Sequence, residues 1–273
     1  MSIKISLKKS KLGKTNANLV LFVDDKFNIS SIKKFISNLE YSYISDLLKT
    51  SDFKKKLLVF NLPKKKIILV SIKKNIKNSE IESLGAELYG QINFDKNSQY
   101  VINTENVIES YKNFIGYFLH GLKLKSYEFK KYKTKKNIKK FSIIVTGKNV
   151  PSVKNQLKFK ALEEGAFYAK DLVSEPGNVL HPDEYAKRIN TLKRDGLKVT
   201  IYDEKKLKKL GMHALLGVGQ GSIRGSYLVT MEWNGAKNNS KPLAFVGKGV
   251  CFDTGGYSLK PARFMEDMTY DMA

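Results

Sequence analysis

The segment KIILVSIKKNIKNSEIESLGAELYGQI, residues 66–92, indicates the fold class of this chain. Its first seven residues are almost all aliphatic, which is typical of a strand that is buried on both faces of a parallel sheet. After a polar turn, residues 79–92 carry apolar side chains at helical spacing. A buried strand followed by an amphipathic helix is the repeating unit of an α/β sheet.

The same alternation predicts further elements along the chain. In the first half, short aliphatic runs predict strands at 19–23, 56–60, 66–72 and 141–146, and helical spacing predicts helices at 79–92 and 105–122. In the second half, the pattern predicts helices at 183–195 and 204–210 and strands at 198–203, 226–233 and 242–247. Between the halves, a segment that opens at Pro151 keeps helical periodicity to about Val173. We therefore predict an α/β protein of two domains, with residues 1–150 as an amino-terminal α/β domain, 151–175 as a linker helix and 176–273 as a second domain.

Size and composition are consistent with two domains that each bury a core. The chain has 273 residues, of which 42% are hydrophobic. No apolar run approaches the ~20 residues that span a bilayer, and the first residues lack the apolar region of a secretory signal. Cys251 is the only cysteine, which excludes an internal disulfide. These features predict a cytoplasmic protein without a membrane partner.

The charge balance raises the alternative of a nucleic-acid partner. The formal net charge is +23, from 49 basic and 26 acidic residues. However, only four of the basic residues are arginine, the better residue for bidentate phosphate and base contacts. The basic run at 121–141 interleaves aromatic residues with lysines, as single-strand binders do. We interpret it as a solvated hairpin, since lysine is abundant throughout, and nucleic-acid binding stays open as an alternative.

Nucleotide and histidine motifs are weak in this sequence. GVGQGS at 217–222 lacks the third glycine of the dinucleotide pattern, and the VGKGV run lacks the glycine spacing and the Ser/Thr of a P-loop. The three histidines are widely separated: we expect His120 to be structural and His181 to act in a turn or cap, and we assign His213 no role. Histidine-based zinc chemistry is not supported.

The segment FVGKGVCFDTGGYSLKP, residues 245–261, carries the strongest site signal. The predicted strand at 242–247 would deliver Lys248 at its carboxyl end, where α/β sheets place ligands. Gly255 and Gly256 allow a turn with positive φ. A lysine ligates a metal only as a neutral amine, so Lys248 would need burial that lowers its pKa by ~3 units or more.

Acidic and basic side chains then follow Lys248 at short intervals. Asp253 follows Lys248 by five residues, Lys260 follows Asp253 by seven, and Asp271 follows Lys260 by eleven. A solvated loop explains any one of them. The combination is better explained by a cation site, because carboxylates suit hard and borderline metals.

Several motifs together resemble one known family. VGKGVCFDTGGYSLKP…MEDMTYDMA closely resembles the signature of the leucyl aminopeptidase family, the cytosolic M17 metalloaminopeptidases. DLVSEPGNVLHPDEYAKRI (171–189), GMHALLGVGQGS (211–222) and MEWNGA (231–236) match in the same order. The similarity is strong from about residue 160 onward, and weaker but consistent in order before it. The resemblance implies a macro-like amino-terminal α/β domain followed by the first part of an α/β metallopeptidase catalytic domain.

The resemblance also implies a role for each matching residue. Lys248 would ligate one of two divalent metals, Asp253 would bridge both, and Asp271 would be a further ligand of the lysine-bound metal. Lys260 would be the catalytic residue, which stays charged and points at the substrate carbonyl or the developing oxyanion. Met268 would line the pocket for the first side chain, so that substrate contacts come from Lys248, Asp253, Lys260 and Met268.

The implied activity is two-metal hydrolysis that removes amino-terminal leucine or other apolar residues from peptides. The implied cofactors are two Mn²⁺, Zn²⁺ or Mg²⁺ ions, with bicarbonate in the complete enzyme. The implied partners are peptides with a free amino terminus and, at full length, five further copies in a homo-hexamer.

The sequence also departs from the family pattern. Cys251, Thr254 and Tyr257 replace a threonine, a serine and an aliphatic residue, and none of these changes removes a ligand. The family's downstream NTDAEGR segment, which supplies two more metal ligands and an arginine, does not occur. We therefore expect a carboxyl-terminally truncated fragment that is inactive alone. The alternatives are a nucleic-acid-binding protein, or a scaffold protein with a non-functional peptidase site.

Overall fold

The structure, a computed structural model of the chain, describes residues 3–11, 15–93, 98–107, 113–134, 142–236 and 241–272. The chain divides into two compact units, Met1–Phe167 and Tyr168–Ala273. The division falls within the segment that the sequence predicts as a linker helix. Within the described residues, no helix is both long and apolar enough to cross a bilayer.

The first unit is built on a six-stranded sheet in the order β1-β6-β5-β2-β4-β3. Its strands are β1 (Lys4–Lys8), β2 (Asn18–Asp24), β3 (Leu57–Asn61), β4 (Lys66–Ile72), β5 (Gln99–Asn103) and β6 (Ser142–Thr146). All neighbours pair in parallel except β3, which pairs antiparallel with β4 at one edge. The α/β fold class predicted from the sequence is confirmed.

Helices cover the two faces of this sheet. The helices of the first unit are α1 (Asn38–Leu48), α2 (Asn78–Ile92), α3 (Phe114–Lys125) and the greater part of α4 (Val153–Ser174). Apolar residues of α2 and α3 form one core with the sheet, and those of α1 and the 3₁₀ turn Ser30–Phe35 form a second core on the opposite face. The sheet is thus buried on both faces, which is why β2 and β4 read as continuous aliphatic runs.

The helices α2 and α3 approach each other unusually closely. A Cβ at Gly85 would lie 1.8 Å from the Phe118 carbonyl oxygen, and a Cβ at Gly121 would lie 1.9 Å from the Glu82 carbonyl oxygen. Only glycine permits this contact, because any side chain would separate the two backbones.

The helix predicted at 105–122 differs from the observed element. Residues 104–107 form a turn, and α3 begins at Phe114. Asn103 and Thr104 are buried at the end of β5, a strand that the sequence pattern did not predict. Residues 99–103, just before the predicted helix, pair with β2 and β6 as a strand. The helix therefore begins later than predicted, at Phe114. Residues 135–141, the end of the predicted basic hairpin, lie outside the described residues.

The second unit carries α5 (Pro182–Asn190), α6 (Glu204–Lys209) and α7 (His213–Gly219), with a two-stranded antiparallel sheet of β7 (Lys198–Tyr202) and β8 (Leu228–Glu232). The predicted strands at 198–203 and 226–233 and the helix at 204–210 are confirmed. The helix predicted at 183–195 is α5 followed by a 3₁₀ turn, Thr191–Asp195.

Candidate active site

A tight turn arranges the residues of the predicted site between Asp253 and Lys260. The Gly255 N–H donates to Asp253 Oδ1 at 2.8 Å, and the Lys260 N–H donates to the Thr254 carbonyl at 2.9 Å. Gly255 and Gly256 have φ angles of +89° and +65°, as the sequence predicts. A Cβ at Gly255 would lie 2.3 Å from the Ser258 carbonyl oxygen, so this turn requires glycine there.

The turn brings three of the predicted site residues together. Lys260 Nζ lies 2.9 Å from Asp253 Oδ2 and 2.9 Å from Met268 Sδ. Met268 belongs to the 3₁₀ turn Glu266–Met272, and its N–H donates to the Met265 carbonyl. A charged amine, a carboxylate and an apolar side chain thus converge at one place.

The electrostatics of this turn favour an ionised carboxylate. The hydrogen bond from Lys260 lowers the pKa of Asp253, and the Gly255 N–H and the positive charges of Lys260 and Lys248 lower it further. Asp253 is therefore anionic at neutral pH. Each of its oxygens accepts one hydrogen bond and keeps a second lone pair, so the donor set suits a divalent cation.

The predicted setting of Lys248 is wrong in this chain. Residues 242–250 form no strand, and Lys248 is exposed rather than buried beside an apolar strand. The side chains of Leu243, Phe245 and Val246 are 81%, 89% and 99% exposed. Apolar sequence makes a strand only where a neighbouring strand accepts its backbone hydrogen bonds, and no such neighbour pairs with this segment among the described residues.

The structure leaves part of the predicted ligand set untested. Asp271 lies in the backbone of the turn Glu266–Met272, but its side chain is outside the described residues. In the described part of the chain, no three His, Cys, Asp or Glu side chains cluster as a metal centre. Of the predicted ligands, the structure describes the side chains of Lys248 and Asp253.

Two residues that precede Asp253 have contacts that the sequence pattern did not predict. Cys251 is buried, and burial raises the pKa of its thiol to about 11. A Cβ at Gly249 would lie 3.2 Å from the Tyr185 ring, which leaves little room for a larger residue there. The packing of α5 against this segment thus constrains the residues between Lys248 and Asp253.

An ion pair connects the residue that follows α4 with α5. Glu175, 2% exposed, accepts a hydrogen bond from Arg188 Nη1 at 2.9 Å, and Arg188 Nε donates to Glu184 at 3.0 Å. The only sign of this ion pair in the sequence was Glu175, an acidic residue beside the turn that ends α4. His181 caps α5 by accepting from the Glu184 N–H at 3.4 Å, which confirms the predicted cap.

The remaining sequence motifs have structural roles. His120 is buried, and its Nδ1 lies 3.3 Å from Glu163 Oε1, as expected for a structural histidine. The glycine-rich run at 217–222 overlaps the end of α7 and follows no strand of a βαβ unit, which agrees with its weak match to a nucleotide loop.

Two solved structures share the fold of this chain. A tomato leucine aminopeptidase mutant has a TM-score of 0.71 at 21% identity, over 93% of this chain and 55% of its own. The bottromycin maturation enzyme BotP in complex with Mn has a TM-score of 0.69 at 18% identity, over 94% of this chain and 53% of its own. At these identities the likeness defines the fold: the chain has the α/β architecture of the leucine aminopeptidase class.

Sequence comparison shows similarity to one family. Residues 167–273 match the catalytic domain of the cytosol aminopeptidase family. A probable cytosol aminopeptidase of Nitrobacter winogradskyi is 39% identical over 215 residues, which are 76% of this chain and 43% of that protein. One from Chelativorans sp. is 51% identical over 160 residues, or 56% of this chain and 32% of that protein. Residues 167–273 are thus similar to the catalytic domain of the cytosol aminopeptidase family, and the chain spans less than half the length of these relatives.

Proposed function

We propose that this chain contributes part of a metal-dependent aminopeptidase that removes amino-terminal leucine or another apolar residue from peptides. The observation that carries the proposal is the convergence of Lys260 Nζ on Asp253 and Met268. The family match over 167–273 and the Mn complex of the structural relative BotP support it.

Asp253, Lys248 and Asp271 would hold two divalent ions, Mn²⁺, Zn²⁺ or Mg²⁺. Such ions supply a hydroxide nucleophile at neutral pH and polarise the scissile carbonyl. Because the pKa of Asp253 is lowered, this ligand is anionic at neutral pH. Lys248 is exposed here, so its use as a neutral ligand requires burial by further protein surface.

Lys260 would act on the substrate directly. As a cation it donates to the carbonyl oxygen while negative charge develops there, and one such donor contributes about 3–4 kcal/mol in transition-state stabilisation. The contact with Asp253 holds the ammonium group in place before substrate binds. Met268, beside this ammonium, would contact the first side chain of the peptide, which favours an apolar residue.

The assembly is carried over from the family resemblance stated above, and the location follows the names of the relatives. We propose a homo-hexamer for the complete protein and a cytoplasmic location, in line with the name of the family. Bicarbonate would assist proton transfer only in the complete enzyme. We propose that the chain of 273 residues alone has little or no peptidase activity.

The proposal is tested with a chimeric chain that continues from Ala273 into the carboxyl-terminal part of the Nitrobacter winogradskyi relative. With Mn²⁺ or Zn²⁺ it should hydrolyse leucyl-p-nitroanilide. Lys260→Ala should lower kcat by about 10²–10³-fold, as expected for loss of one oxyanion donor. The control Lys209→Ala removes an exposed lysine of α6 and should leave kcat unchanged.

Metal binding gives a second readout that is independent of turnover. Asp253→Asn in the same chimera should weaken Mn²⁺ binding in a calorimetric titration by at least tenfold, since an amide is a poorer ligand than a carboxylate. A folded chimera that binds no divalent ion, or whose turnover is unaffected by Lys260→Ala, would refute the proposed function.

Nucleic-acid binding is the less favoured function. The arginines make intramolecular contacts: Arg188 with Glu175 and Glu184, Arg194 with the Thr191 carbonyl, Arg224 with Asp183 and Arg263 with the Phe264 ring. These contacts compete with phosphate or base recognition by the residue type best suited to it. Steeply salt-dependent DNA binding, unaffected by Lys260→Ala, would favour this alternative instead.

A further inference from the structure

The amino-terminal unit has a crevice at the carboxyl edge of its sheet, far along the chain from the peptidase motif. The strands β2 and β5 are parallel neighbours, with Val20 opposite Ile102. The chain leaving β2 enters the turn Ser30–Phe35 and α1 on one face, whereas α3, which follows β5, packs on the other face. Adjacent strands whose connections leave to opposite faces open a crevice between them, and α/β sheets bind ligands at such points.

A cleft of about 690 Å³ lies at this position. One wall is lined by Ser30, Ser31, Lys33, Lys34 and Asn38, and the other by Glu105 and Asn106. The volume is within the range of about 300–1,000 Å³ for small-molecule sites, but the lining is polar throughout. A ligand for this cleft must therefore be rich in hydrogen-bonding groups.

The first wall is held by a chain of hydrogen bonds that starts at the end of β2. Asp24 Oδ1 accepts the Asn28 N–H at 2.8 Å and the Lys26 N–H at 3.2 Å. Asn28 Oδ1 in turn accepts the Ser30 N–H at 2.9 Å. The backbone that leads into this wall is thus positioned by the fold rather than by a ligand.

The second wall is held in the same way at the ends of β5 and β6. Asn103 Oδ1 accepts the Glu105 N–H at 3.1 Å, and the Thr104 N–H donates to the Thr146 carbonyl at 2.8 Å. Asn149 Nδ2 donates to the carbonyls of Thr104 and Val107. A preformed cleft lowers the entropic cost of binding.

Buried polar atoms without a partner gather at this edge. Within the described residues, Asn103 Nδ2, Thr146 Oγ1 and Asn106 Oδ1 are three of the five buried side-chain atoms that lack a hydrogen bond. Asn103 and Thr146 are opposite each other in register, and strand alternation directs both to the face that carries Ser30–Phe35. Asn106 lines the cleft itself. Such atoms normally find a partner, so their concentration here indicates a further polar ligand.

The charges of the cleft define the chemistry of that ligand. Lys33 and Lys34 both line the cleft; Lys34 Nζ lies 4.0 Å from Glu105 Oε2, and Lys33 Nζ lies 5.6 Å from the centroid of the Tyr41 ring. Two lysines and two serine hydroxyls suit a phosphate group. The carboxylate of Glu105 would repel a bare anion but accepts hydrogen bonds from hydroxyl groups, as the amide of Asn106 also does.

We propose that this cleft binds a phosphorylated small molecule that also carries free hydroxyl groups, as a sugar phosphate or a nucleotide does. The phosphate contacts Lys33, Lys34 and the serines. The hydroxyl-bearing part contacts Glu105 and Asn106. Its residues belong to the first unit and are not those of the 248–271 motif.

The proposal is tested by calorimetric titration of the full chain with ribose 5-phosphate, ADP, ribose and inorganic phosphate in 150 mM NaCl. Ribose 5-phosphate or ADP should bind saturably with one site per chain, more tightly than inorganic phosphate, and ribose should not bind. The double variant Lys33→Ala/Lys34→Ala should weaken this binding at least tenfold. The matched control Lys54→Ala/Lys55→Ala removes the same charge from exposed positions outside the cleft and should change it less than twofold.

The hydroxyl-bearing part has its own test. Glu105→Gln should weaken ribose 5-phosphate binding several-fold and leave inorganic phosphate unchanged or slightly tighter. Absence of binding by both ribose 5-phosphate and ADP at millimolar concentration would overturn the proposal. Equal losses in the two double variants would also overturn it, because the binding would then reflect the general +23 charge of the chain.

Discussion

The ammonium nitrogen of Lys260 lies 2.9 Å from a carboxylate oxygen of Asp253, across a turn that two glycines of positive φ make possible. The pair is partly exposed to solvent, so its contribution to stability is small. Its importance is geometric, since it fixes a cation beside an anionic ligand. The turn that holds this pair is therefore where substitution should affect function more than folding.

Gly255→Ala should disturb this turn in the chimeric chain. The new Cβ would meet the Ser258 carbonyl oxygen at 2.3 Å, at a φ that L residues rarely adopt, and such strain is about 1–3 kcal/mol. We expect kcat/KM on leucyl-p-nitroanilide to fall at least about tenfold. Gly256→Ala is the matched control, because its φ is also positive but no atom lies within 4 Å of the new Cβ. Equal effects of the two substitutions would contradict the steric explanation.

Glu163→Ala should destabilise the chain through the contact between α4 and α3. The Glu163 side chain is buried and lies 2.8 Å from Lys123 Nζ and 3.3 Å from His120 Nδ1. Its removal leaves both partners without their acceptor, and we expect the free energy of unfolding to fall by about 2 kcal/mol. Urea denaturation followed by circular dichroism measures this loss. Glu164→Ala, at the exposed neighbouring position, should change stability by less than about 0.5 kcal/mol.

Glu40→Gln should give a pH-dependent loss of stability. Partial burial raises the pKa of Glu40, but the Ser37 N–H and Lys65 together lower it below its ordinary value. Its stabilisation is therefore present above the pKa of the unfolded chain and is lost as the pH falls through the lower folded pKa. A glutamine can still close the capping box of α1 but loses the ion pair with Lys65, whose Nζ lies 3.0 Å from Glu40 Oε1, so we expect a loss of about 1 kcal/mol at pH 7.

The difference between wild type and Glu40→Gln should shrink as the pH is lowered below about 4. Urea denaturation at pH 7 and at pH 3.5 compares the two chains. Glu87→Gln, at an exposed position of α2, should show no such dependence. A constant difference at both pH values would show that the charge of Glu40 is not the stabilising feature.

Cys251 should react slowly with iodoacetamide in the folded chain. Burial raises the pKa of its thiol to about 11, and the charge of Asp183 adds to the effect. At pH 8 the thiolate fraction is then about 100-fold below that of a thiol with an ordinary pKa. Mass spectrometry can follow the modification cleanly, since no second cysteine is present. Similar rates in the native chain and in 6 M guanidinium would contradict the burial of this thiol.

The elements that the sequence predicted best are those whose buried residues form a clear pattern along the chain. The strands β2 and β4 and the helix α2 follow directly from aliphatic runs and helical spacing. In contrast, β1 and β5 were not predicted. The strand β1 is a half-exposed edge strand with lysines at both ends, and β5 is recognisable only from its pairing with β2 and β6. Pairing is a property of the sheet and not of the strand.

The candidate site shows the same division. The spacing of Asp253, the glycine pair and Lys260 predicted a turn with positive φ, because backbone geometry at glycine is a local matter. The aliphatic run at 242–247 predicted a strand that does not form, since a strand requires hydrogen bonds from a neighbour. The cleft between β2 and β5 left no signal in the sequence, because its walls come from two separate segments, residues 30–38 and 105–106.

By itself, then, the sequence determined the α/β class, the identity of the chemical groups in the 248–271 segment and the local turn that joins two of them. Tertiary structure alone decided which side chains meet, as Lys260 meets Met268 and as the two walls of the amino-terminal cleft meet. The physical reason is range: backbone conformation is set within a few residues, whereas the contacts that bury, pair or charge a group depend on chain segments brought together by folding.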